Sequence, residues 1–189
     1  YNTLFMILSL CGFMGAGKST IAKRLSYQLG CRLIDMDAYI VSKSGRTIPQ
    51  IFKEEGEAAF RTMEREAARE IVARYNTPEE KKLDANGNEY VTLVLSLGGG
   101  ALTGSETAQV IKENTMCVYL KCSVDLLLQR LAEGHSERPL IMNKSMEELR
   151  EYIASTLALR NPSYIGNSRI IVECDGKSAA DICNEIIGH

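Results

Sequence analysis

Residues 12–20 read GFMGAGKST, which fits the pattern G-x-x-x-x-G-K-[ST]. No other stretch constrains the fold so tightly, because the pattern works only in one setting. Its glycines must let the loop turn successive backbone N–H groups inward onto phosphate oxygens. The helix that follows must add its positive dipole end. The setting is present. Residues 4–11 are an apolar run that reads as a buried strand, and KSTIAKRLSYQLG follows with helical periodicity. Strand, turn and helix commit the chain to an α/β architecture around a nucleoside triphosphate. The backbone of Gly15, Ala16 and Gly17 is expected to face the phosphates. Lys18 brings a point charge to the β- and γ-phosphates, Ser19 offers a hydroxyl to Mg²⁺, and Thr20 is a second hydroxyl close by.

The rest of the chain continues the alternation. Apolar, β-branched runs recur at 31–35, 91–97, 116–120 and 169–173, with helical segments between them. This predicts parallel strands joined by right-handed crossovers, with helices on both faces. Ser145 with Glu148, Thr103 with Glu106 and Ser178 with Asp181 have the spacing of helix-start capping boxes. Residues 76–90, NTPEEKKLDANGNEY, break the pattern and read as an exposed excursion. The 4–11 run has no basic flank or small-residue cleavage site, is too short to span a membrane, and leads straight into the loop. No function is expected of residues 1–3. With a net charge of -2, nothing suggests a nucleic-acid footprint, which would need a concentrated basic face. The six cysteines include no CxxC pair and have no histidines at zinc spacing, so they read as buried thiols in a reducing cytoplasm.

Three further features address what receives the phosphoryl group. LIDMDAYI ends a strand in Asp-x-Asp, which aims Asp35 and Asp37 to one side at the sheet's carboxyl edge, where ligands bind in open α/β folds. One carboxylate is suited to magnesium and the other to an acceptor hydroxyl. Helix N-capping by Asp37 is the alternative. LSLGGGALT leaves another strand through Gly98, Gly99 and Gly100, a costly sequence unless something approaches the backbone closely. Arg61, Arg138 and Arg160 stand beside Phe60, in a Gly/Ser/Pro-containing segment, and before Asn161-Pro162. Singly, each reads as a surface charge.

Taken in order, GFMGAGKST, DMD, FRTME, GGG, RPL and RNPSY resemble the motif series of shikimate kinases, across nearly the whole chain. The resemblance implies one kinase domain over residues 1–189. It would be a three-layer P-loop fold with a five-stranded parallel sheet in the order 2-3-1-4-5 and a mobile lid at about 132–146. The substrate-binding helical region would be about 36–75. It further implies transfer of the ATP γ-phosphoryl to the 3-hydroxyl of shikimate. By resemblance, Asp37 contacts the acceptor hydroxyl and Asp35 acts on magnesium. Arg61 and Arg160 grip the carboxylate, and Arg138 is the lid arginine. The glycine triplet presents backbone to the ring. Arg130 is the candidate for stacking on adenine, and DGKSA (175–179) for the adenine-side loop.

Elementary chemistry agrees. Backbone N–H groups reach a ring hydroxyl only where no Cβ intervenes, and a planar guanidinium matches a carboxylate bidentately. Phe52 and Phe60 suit either an apolar wall or the core. A kinase for gluconate on the same scaffold would explain the phosphate loop but not GGG together with Arg61 and Arg160. A non-catalytic ATP-gated module would not need Lys18, Asp37 and Arg138. The expected partners are ATP, with Mg²⁺, and shikimate, with no nucleic acid and no membrane, acting as a cytoplasmic monomer. Departures from the family pattern are the long 76–90 segment and IGNSR after RNPSY. His135, within the lid, is assigned no chemistry.

Overall fold

The computed structural model describes residues 6–80, 90–133, 141 and 144–189. Among them, five strands and seven α-helices follow one another as β1 (Ile7–Cys11), α1 (Lys18–Gln28), β2 (Arg32–Asp35), α2 (Met36–Ser44), α3 (Ile48–Tyr75), β3 (Leu93–Ser96), α4 (Ser105–Asn114), β4 (Met116–Lys121), α5 (Val124–Glu133), α6 (Met146–Asn167), β5 (Ile170–Glu173) and α7 (Ala179–Ile187). The strands form one parallel sheet in the order β2-β3-β1-β4-β5, the order the resemblance implies. β1 is central, with Leu10 registered against Ser96 of β3 and Val118 of β4. All five of its residues are buried, which is why it reads as an unbroken apolar run rather than an alternating one.

Side chains alternate across the sheet and feed two separate cores. Leu8 and Leu10 enter a cluster with Ile21, Leu25, Leu127, Leu131, Ile182 and Ile186, from α1, α5 and α7. Ile7 and Cys11 enter the opposite cluster with Met36, Ile51, Phe60, Ile71 and Ile111, from α2, α3 and α4. Each fully buried Leu or Ile contributes about 1.5–3 kcal/mol relative to exposure. Ser9 sits on the second side, its hydroxyl hydrogen-bonded to that of Thr115 at 2.6 Å. Five of the six cysteines are buried, and Cys31 is partly exposed.

Two of the three expected capping boxes close, at Ser145–Glu148 and Ser178–Asp181. The third does not. α4 starts at Ser105 with Gly104 as its cap, because a 3₁₀ turn, Ala101–Thr103, claims Thr103, whose hydroxyl donates to the Gly100 carbonyl at 2.6 Å. A box absent from the sequence reading, Thr47 with Gln50, starts α3. α3 also bends at Gly56, which has φ 82° and ψ 176°. Of the 76–90 excursion, residues 81–89 lie outside the described residues. Just before them Glu80 pairs with Arg32. No described helix is long and apolar enough to cross a membrane.

Candidate active site

β1 delivers the phosphate loop to the sheet's carboxyl edge, and α1 begins at Lys18 with Gly17 as its cap. Lys18 Nζ donates to the carbonyls of Gly12, at 2.8 Å, and Phe13, at 3.1 Å, so its charge is folded over the loop it serves. Arg130, from the last turn of α5, lies against the same loop. Its guanidinium donates to the Ala16 carbonyl at 3.0 Å and the Gly15 carbonyl at 3.3 Å. It also borders a hollow of about 270 Å³ shared with Thr20, Ile21 and Ala179, the last residue of DGKSA.

Asp35 and Asp37 line one cleft of about 490 Å³ with Lys18, Ser19, Thr20 and Gly98. They reach it by a different route from strand alternation. α2 begins at Met36, so Asp37 occupies the first helical turn, and the N-cap is Asp35, whose Oδ1 accepts from the Ala38 amide at 3.0 Å. The capping role considered for Asp37 therefore belongs to Asp35, because β2 ends at Asp35, two residues before a strand running through Asp37 would. This leaves the Asp37 carboxylate turned into the cleft. Burial raises its pKa, the neighbouring Asp35 raises it further, and Lys18 and Arg61 oppose both.

The glycine triplet has specific neighbours. A Cβ on Gly98 would stand 2.6 Å from Asp37 Oδ1. One on Gly100 would stand 2.9 Å from two nitrogens of Arg61, and one on Gly99 would lie 3.7 Å from Arg160. The close approach that the sequence demands is thus made by three of the expected site side chains. Arg61 donates to the Gly100 carbonyl at 3.1 Å and Arg160 to that of Gly99 at 3.2 Å. α6 fixes this ledge from behind. Tyr164 donates its hydroxyl to the Gly99 carbonyl and Ser163 to that of Leu102. Tyr164 also stacks on Tyr119, whose hydroxyl donates to Asn161 at 3.0 Å. Burial drives the Tyr164 phenol up to about 12, so it remains a donor.

Glu64 closes the FRTME motif, and the sequence reading assigns it no role. It is 1% exposed, and its carboxylate accepts from Arg61 at 2.6 Å. Desolvation raises its pKa against the pull of Arg61. The available signal is the three-residue spacing on a helix, which places both side chains on one face. Phe60 belongs to the core, while Phe52, 39% exposed, stacks on it at 4.9 Å from the rim. Arg138 and His135 lie outside the described residues.

A phosphate loop faces, across one cleft, a largely buried carboxylate. That arrangement defines a P-loop kinase acting on a small molecule. The family model for shikimate kinase matches residues 14–189. A shikimate kinase of Thermus thermophilus is 37% identical over 180 residues, covering 95% of this chain and 87% of the relative. The structure of shikimate kinase from Acinetobacter baumannii in complex with shikimate superposes with a TM-score of 0.79 at 33% identity, covering 98% of this chain and 92% of the other. That from Bacteroides thetaiotaomicron gives 0.82 at 27% identity, covering 97% of both. The chain belongs to the shikimate kinase family, ATP-dependent kinases that phosphorylate a shikimate hydroxyl.

Proposed function

We propose that this chain transfers the γ-phosphoryl of ATP to the 3-hydroxyl of shikimate, giving shikimate 3-phosphate for aromatic amino-acid biosynthesis. The observation that carries the reading is the convergence of Asp37, Arg61 and Arg160 on one glycine ledge beside the phosphate loop. The backbone of residues 15–17, with Lys18 and Thr20, would hold the triphosphate. Arg130 and Ala179 would border the adenine. Arg61 and Arg160 would bind the shikimate carboxylate, and Gly98, Gly99 and Gly100 would present main chain to the ring.

Among the described residues no three His, Cys, Asp or Glu side chains cluster as a metal site. Magnesium in a kinase takes one or two protein oxygens and completes its shell with phosphate and water. Ser19 and Asp35 are hard oxygen donors that both line the cleft and fit this role. The ion, when bound, neutralises charge between the β- and γ-phosphates.

Asp37 accepts the proton of the acceptor hydroxyl as its oxygen attacks the γ-phosphorus. Lys18 and Arg138 meet the charge that spreads over the transferring group. Two arginines on one carboxylate select against neutral sugars, because an analogue lacking that group leaves both cations unpaired. The enzyme is expected to act as a monomer in the cytoplasm. A coupled assay measuring ADP release with shikimate, with gluconate and with neither tests the reading. Turnover should require shikimate, and equal turnover with gluconate would overturn it.

A further inference from the structure

The loops leaving β4 and β5 are joined by three consecutive rungs. Lys121 pairs with Glu173 at 2.6 Å. Two residues on, Asp175 accepts from the Ser123 amide at 2.9 Å and from its hydroxyl. The rung between them is Cys122 with Cys174. Strand register, with Lys121 opposite Glu173, brings the two cysteines side by side, and the Cys174 amide donates to the Lys121 carbonyl at 2.8 Å. Both side chains enter the same core, on the α1 and α7 face. Neighbouring strands lie about 4.8 Å apart, inside the Cα–Cα window of about 4.4–6.8 Å that a disulfide needs.

This pair also touches the nucleotide cradle. Cys122 Sγ contacts the Ala16 carbonyl at 3.9 Å, and the Arg130 guanidinium, itself bonded to Ala16, contacts the same sulfur at 3.9 Å. A cation beside a thiol favours its thiolate. Cys174 is 1% exposed and donates to the Val172 carbonyl, while Cys122 is 5% exposed and lies next to Arg130, which lines the cleft.

We propose that Cys122 and Cys174 form a reversible dithiol–disulfide switch beneath the phosphate loop, oxidised by a peroxide, that weakens ATP binding when closed. It rests on the phosphate loop being the ATP cradle. The Cys122 thiolate attacks one peroxide oxygen, giving a sulfenic acid and releasing the other oxygen as water after protonation. The Cys174 sulfur then attacks Cys122, expelling the sulfenic oxygen as a second water. Two thiol hydrogens and one peroxide become one disulfide and two waters. An S–S bond of about 2.05 Å draws Cys122 away from Ala16 and from Arg130, so the loop loses a support on its underside.

The test uses the whole enzyme treated with hydrogen peroxide, digested under non-reducing conditions and mapped by mass spectrometry. ATP affinity is measured separately by calorimetry. The expected result is a linked Cys122–Cys174 peptide, ATP affinity at least about tenfold weaker, and recovery of both by dithiothreitol. Cys174→Ser should keep the reduced enzyme's affinity and resist peroxide. Should that variant not fold, the reversal in the unmutated enzyme, read with the linked peptide, decides. A Cys11–Cys117 link instead, sulfonic acids without a link, or the Cys122–Cys174 link with unchanged ATP affinity would each overturn the switch. Shikimate turnover by the reduced enzyme is scored independently, so a failed switch and a failed activity are told apart.

Discussion

The base role proposed for Asp37 falls on a carboxylate whose charge is discouraged. Burial raises its pKa first and Asp35 next, while Lys18 and Arg61 only partly offset them. A carboxyl whose folded pKa lies above its unfolded value costs stability when ionised. The cost is absent below the unfolded value and grows as pH rises through the folded one. Asp37→Asn should therefore lower kcat by about 10²–10⁴, the range for a lost general base. It should also raise the melting temperature at pH 7 by about 2–4 °C for each kcal/mol of relieved strain. The thermal gain should shrink as pH falls through the folded pKa and vanish below the ordinary aspartate range. Melting curves across that pH span, beside kcat at neutral pH, check both halves. A variant less stable than the parent at pH 7 would remove the argument from desolvation.

The loop from β3 to α4 shows what a short element can contribute. Gly98 and Gly100 are bare because Asp37 and Arg61 occupy the space their Cβ atoms would take. Both obstructing groups are the tips of side chains, so an added methyl displaces chemistry rather than backbone. Gly98→Ala should leave the melting temperature within about 2 °C of the parent while cutting kcat by about tenfold or more, through Asp37. Gly100→Ala should leave kcat near normal and raise the shikimate KM, through Arg61, with ATP KM unchanged. Steady-state kinetics on the two variants separates the roles, and loss of fold in either would show that the ledge is structural first. Sequence made the need for glycine readable, since three in a row after a strand demand a close neighbour. It did not reveal the neighbour, because Arg61 lies 39 residues from Gly100 in the chain. Glu64 escaped a role for the opposite reason. A glutamate three residues from an arginine is ordinary on a helix surface, and only burial shows that this one holds Arg61 in place. The placing of the α2 cap on Asp35 rather than Asp37 turned on two residues of strand length, a boundary that periodicity does not resolve.

At the scale of the whole molecule, the sheet divides the proposed reaction between its faces. α1, α5 and α7 on one face carry the phosphate loop and Arg130. α2 and α3 on the other carry Asp37 and Arg61. The sequence showed this division only as strand–helix alternation, because which face a crossover covers depends on strand order. α6 belongs to both. Leu149 and Ile153 pack in the first core and Tyr164 in the second, so the helix passes from the nucleotide side to the substrate side. Arg138 falls in the stretch between α5 and α6, the connection that leads from the nucleotide face onto the shared helix. A residue so placed in the chain suits the charge that appears only when both ligands react. Phosphoryl transfer passes through a loose transition state in which such stabilisation dominates. Arg138→Ala should thus lower kcat by about 10²-fold or more while calorimetric affinities for ATP and shikimate, each measured alone, stay within about threefold. If kcat survived and only shikimate binding weakened, Arg138 would join Arg61 and Arg160 as a ground-state clamp, and charge stabilisation at transfer would rest on Lys18 and the metal.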